Sequence, residues 1–162
     1  MSNTIKHKLD DLAGDDECVL IGIVSSAPDF TVCWHINKQL NINLSRTEDI
    51  KFEVINKSKK IFVPDLFTRE EKTQTQEKIF SHHHVFKYLD DNLFSDYFFI
   101  VNKGTSLNLE PQLKKVNYFL EINGKNAENA EQLIFDLNAI EPIEMAYIIG
   151  KESIINKLQL PV

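Results

Sequence analysis

The chain has 162 residues, 43% of them hydrophobic, 26% charged and 10% aromatic, with a formal net charge of -6. That length buries a full hydrophobic core without disulfide or metal staples, and 11 Phe residues point to packing rather than disorder. A uniformly acidic domain is repelled by phosphate backbones, so nucleic acid and anionic membrane are disfavoured partners.

Residues 1–17 read as an acidic lead-in, with Asp10, Asp11, Asp15, Asp16 and Glu17 clustered outside any calcium-loop spacing. They lack the apolar core of a signal peptide. No apolar run reaches the ~18 residues that span a bilayer, so the expectation is a cytoplasmic protein. Cys18 to Val24 (CVLIGIV) is a continuous β-branched apolar run, the pattern of a central strand covered on both faces. Pro28 then sits where a helix starts. Phe30, Cys33, Trp34, Asn37 and Leu40 recur at helical spacing, with Val32 and Ile36 widening the apolar face.

Asn41 to Glu48 is a polar connection, and Ile50, Phe52 and Val54 alternate with charged residues as a half-buried strand. Asn56 to Lys60 reads as a turn, and Ile61 to Val63 as a short strand stopped by Pro64. Thr68 to Lys78 holds almost nothing apolar and reads as a surface excursion. A hairpin follows: the alternating run from His83 to Tyr88, a polar link, and then the β-rich Asp96 to Asn102. Gly104 to Leu113 is a loop centred on Pro111.

Val116 to Gly150 has the pattern strand, helix, strand. Val116, Tyr118, Leu120 and Ile122 share one face, while Asn117, Glu121 and Asn123 share the other. Asn126 is placed to cap the helix, with Glu128 and Glu131 in its first turns. Ala130, Leu133, Ile134 and Leu137 form its apolar stripe. Pro142 prevents its continuation, and Ile143 to Ile149 alternates again. The element order predicts one α+β domain over 18–150, followed by a tail over 151–162. Its architecture is a two-layer sandwich: a mainly antiparallel sheet with helices on one face, in ferredoxin-like element order.

Leu109 to Leu120 (LEPQLKKVNYFL) resembles a small bacterial family named IPExxVDY after its motif. Asn117 stands where that motif has Asp, and Pro111 lies one residue further from Val116. A second stretch, Ile140 to Tyr147 (IEPIEMAY), has the motif's length with Glu and Pro exchanged and Met-Ala in place of Val-Asp. Either stretch can be the equivalent one, and Val116, Asn117 and Tyr118 are the closer match. The resemblance would cover nearly the whole chain. It implies no activity and no catalytic residue.

The conspicuous polar feature is His82, His83 and His84. On a strand, His82 and His84 share a face ~7 Å apart, a separation that two metal ligands can use, with His7 or His35 as a third. No Cys or carboxylate pattern accompanies them, so a solvated strand is the preferred reading, with no metal or cofactor expected. Cys18 and Cys33 both sit in apolar runs, where cysteine serves as a small buried hydrophobe. Cys33 and His35 are two apart on one helix, so their side chains diverge rather than forming a nucleophile pair. No glycine-rich phosphate loop, HExxH or GxSxG occurs.

Lys57, Lys59, Lys60, Lys114 and Lys115, with Phe62 or Tyr118, are the residues an RNA contact would use; ordinary turn lysines are preferred. Trp34, the single tryptophan, is expected in the core, with a contact to a protein partner as the alternative. With no catalytic set in view, the sequence favours a non-catalytic binding or adaptor module, with a protein partner or self-association. A small-ligand-sensing domain and an RNA-associated protein are the alternatives.

Overall fold

The computed structural model describes residues 18–57 and 76–150. The lead-in over 1–17, the strand expected at 61–63, the excursion over 68–75 and the tail over 151–162 lie outside these residues. β1 (Cys18–Val24) is apolar on both sides because both sides are covered. It lies between β7 (Tyr118–Gly124) and β8 (Met145–Ile148) and pairs antiparallel with each. Val19, Ile21 and Ile23 face the helices, while Leu20 faces the opposite way. Gly22 shares the Leu20 face and leaves room for Ile149 and Val116.

α1 (Asp29–Leu40) begins at Pro28, whose extended backbone supplies the cap position. Asp29 Oδ1 accepts the Phe30 N–H at 2.7 Å, a carboxylate placed at the positive end of the helix. The helix ends where Asn41 turns left-handed at φ 53°. Its buried side chains are Val32, Cys33 and Ile36. Phe30 and Trp34, expected on the core face, point outward. Val32 and Ile36 are the β-branched pair one turn apart that settles against the sheet, which rotates Phe30 and Trp34 away.

The remaining strands are β2 (Ser45–Arg46), β3 (Ile50–Lys57), β4 (Gln76–His83), β5 (Val85–Asp90) and β6 (Ser95–Val101). The main sheet runs β2-β5-β6-β7-β1-β8, and every pairing in it is antiparallel. β3 and β4 form a separate two-stranded ribbon. Asn56 and Lys57, expected in a turn, instead extend β3 by pairing with Glu77 and Gln76, which the sequence put in the polar excursion. The closing β7–α2–β8 unit is split: β7 and β8 are parallel to each other with β1 inserted between them. Its helix starts as a 3-10 turn, Lys125–Asn129, and continues as α2 (Ala130–Asn138). Asn126 is not the cap. Its N–H donates to Ser95 Oγ at 3.0 Å and its Nδ2 to Tyr97 Oη at 2.7 Å, while Gly124, at φ 90°, makes the turn.

Both helices pack on one face, giving the α+β sandwich. Val32, Ile36 and Leu137 meet Ile21, Phe99, Leu120 and Ile122 there. Each fully buried side chain of this size contributes about 1.5–3 kcal/mol. The other face carries a second cluster: Leu20, Phe98, Ile100 and Phe119 under Leu109, Val116 and Ile149. Val116 therefore belongs opposite Tyr118, Leu120 and Ile122, because the strand pleat begins only at Tyr118.

Candidate functional site

Among the described residues, a cleft at the start of α1 and the outward stripe of that helix are both open to something outside the chain. The cleft encloses about 470 Å³. One wall is the β1–α1 turn from Ser25 to Asp29, another is His82 and His84, and a third is the loop residues Lys103, Gly104 and Thr105. Asn117 and Tyr118 line its floor.

The turn is fixed by the residues that carry the family resemblance. Asn117 donates its backbone N–H to Ile23 O at 2.9 Å, and its Oδ1 accepts the Ser25 N–H at 2.9 Å. Tyr118 donates from Oη to Ala27 O at 2.5 Å. Ser25 Oγ donates to Pro142 O and accepts the Ala27 N–H. Tyr118 packs in the core as expected, and burial raises its phenol. Asn117 faces the turn with a defined structural task, which the sequence reading did not see. A polar residue entering a strand was the available signal.

The three histidines have three different fates. His84 occupies the one-residue break between β4 and β5, exposed, and its Nδ1–H donates to Asp29 Oδ2 at 2.6 Å. His82 is half-buried beside it. His83 is fully buried, contrary to a solvated strand. The strand alternation turns it away from its neighbours and under the Gly104 loop. Among the described residues, no three His, Cys, Asp or Glu side chains are grouped to hold a metal ion. His82 and His84 do share the cleft. His35, however, stands edge-on to Trp34 at 4.8 Å, and His7 lies outside the described residues.

Cys33 is buried as expected, and its thiol is pushed up to about 11, first by burial and then by the Asp29 charge. That removes it as a nucleophile. Cys18, also expected to be buried, is exposed because it opens β1 at the sheet's end. Lys114 and Lys115 are exposed, but the Tyr118 ring is buried and cannot stack on a base. Lys59, Lys60 and Phe62 lie outside the described residues. No helix among the described residues is long and apolar enough to cross a membrane.

On α1, Phe30 is 66% exposed and Trp34 57%. They stand four residues apart and so share one stripe. Lys38 continues it, with Nζ 5.3 Å from the centre of the Trp34 ring, a cation–π contact. Asp29, one residue before Phe30, belongs to the cleft. The stripe and the cleft are thus two ends of one surface. No protein-family model and no curated protein sequence matches the chain.

Proposed function

We propose that the protein is a non-catalytic cytoplasmic binding module that docks a protein partner on the outward stripe of α1. The observation that carries this reading is the pair of large aromatic rings, Phe30 and Trp34, held in water on one rigid helix. Aromatic anchors of this kind dominate the energetics of protein interfaces. The likeness to the IPExxVDY family, which has no assigned activity, adds nothing catalytic. Trp34 is the single tryptophan, so its fluorescence reports the stripe directly.

A partner isolated from a native lysate is expected to shift Trp34 emission to the blue and shield it from iodide. It should lose at least tenfold in affinity for Phe30→Ala/Trp34→Ala while binding a Phe135→Ala variant normally. Equal affinity for the double variant would overturn the reading.

The cleft supports a second reading, a small-ligand-sensing domain, through the converging Lys103, Thr105, His82 and Asn117 side chains. A metabolite panel that raises the melting temperature of the wild type but not of Lys103→Ala would favour it.

A further inference from the structure

We propose that the loop Gly104 to Leu107 is an acid-released latch, closed over a buried, neutral His83 and opened when that ring takes up a proton. This goes beyond the partner-docking reading and stands independently of it.

The loop is clamped to β4 by paired hydrogen bonds. Thr105 N–H donates to His82 O and its Oγ1 accepts the His82 N–H, both at 3.1 Å. Ser81 Oγ accepts the N–H groups of Ser106 and Leu107, at 3.3 and 3.0 Å, and donates to Leu107 O at 3.1 Å. Gly104 N–H closes the loop on Leu107 O at 2.9 Å. Contact beneath the clamp is so close that a Cβ at Gly104 would lie 2.2 Å from Ser81 Oγ and 2.6 Å from His83 Nε2.

His83 fills the space under this loop with no exposure. Its Nδ1–H donates to Val101 O at 2.9 Å, which fixes the tautomer. Nε2 therefore carries the lone pair, and it is buried without a hydrogen-bond partner. A proton arriving there would create a donor with no acceptor. Ser81 Oγ, which shares the space against Gly104 with Nε2, already accepts from the Ser106 and Leu107 N–H groups. The closed loop accepts the neutral ring and opposes the charged one.

The charges facing the ring do not reverse this. The backbone at Val101 and Asn102 favours the proton, and so does Asp49, paired with Arg46, while His82 opposes it. Lys103, just before the loop, is exposed. The His84–Asp29 pair is held outside, at the cleft. Burial is the largest influence, and it holds the imidazole below its ordinary value. The sign follows: closure is fully stable above about pH 6.5, the ordinary histidine value. It is lost as pH falls from there through the depressed closed-state value. Opening would take Lys103, Gly104 and Thr105 out of the cleft wall.

The test is amide hydrogen exchange of the full chain between pH 7.5 and 5.0, expressed as protection factors. Protection of Thr105, Ser106 and Leu107 is expected to fall by up to about tenfold per pH unit below 6.5, the limit for one proton. Phe99 and Leu120 in the sheet should stay protected. His83→Asn, which keeps a donor for Val101 O and cannot titrate, should abolish the response, and His84→Asn should leave it. A loop whose protection is unchanged by pH, or whose response follows His84, overturns the proposal. Should His83→Asn not fold, the wild-type ring signal decides. It must titrate in step with loop opening, and a ring that titrates under a closed loop, or stays neutral while the loop opens, refutes the latch.

Discussion

Cys33 and Phe94 show how differently single residues can depart from their ordinary chemistry. Cys33 donates weakly to Leu44 O at 3.8 Å from inside the helix–sheet interface, and with its thiol near 11 it carries almost no thiolate at neutral pH. Iodoacetamide at pH 8 is therefore expected to modify Cys18 in the native protein and Cys33 only after denaturation. Peptide mapping by mass spectrometry reads the outcome. Phe94 sits at φ 48° in the β5–β6 turn with 87% of its surface exposed. A bulky residue in the left-handed region costs roughly 1–2 kcal/mol. Phe94→Gly should thus raise stability by about 1 kcal/mol in urea titration. The buried half of α1 was legible at Cys33 and obscured at Trp34. Two apolar stripes overlap on that helix, and periodicity alone cannot say which one meets the sheet.

At the scale of elements, asparagine side chains stand in for missing backbone. Asn138, at the end of α2, accepts the Ala146 N–H at 2.8 Å and donates to Ala146 O at 3.0 Å. The carboxamide thereby pairs with the outer edge of β8 as a neighbouring strand would. Asn37 does the same for Leu44, at 2.8 and 3.0 Å, steadying the chain just before β2. Unpaired strand edges are templates for association. Asn138→Ala should cost about 1–3 kcal/mol for the two lost bonds and increase concentration-dependent self-association, measured by light scattering; unchanged scattering would show the edge to be protected otherwise.

The strands and helices themselves were largely legible. β1 matches its apolar run residue for residue, and β6 its β-rich run to within one residue, but the run from His83 to Tyr88 is cut at His84, so that His83 ends β4 and β5 begins at Val85. Asparagine roles were not, because a carboxamide reads as a turn or cap residue whether or not it faces a strand edge. His83 was misread for a related reason. Its neighbours are exposed or half-exposed, and what buries it is a loop more than 20 residues downstream.

Among the described residues the decisive contact joins an early strand to two late ones. β1 finds both its partners, β7 and β8, in the last third of the chain. A chain ending at residue 115 would leave β1 unpaired on both edges, and the prediction is loss of cooperative thermal unfolding by circular dichroism. Local strand signals could not reveal this, because the order of strands is set by which apolar faces close over one another. The same arrangement bears on synthesis in the cell. A ribosome emits CVLIGIV roughly a hundred residues before β7, an interval of about 5–20 s at ordinary elongation rates. Throughout that time the most hydrophobic segment of the nascent chain has no sheet to join, which makes it a natural substrate for chaperone capture at the exit tunnel.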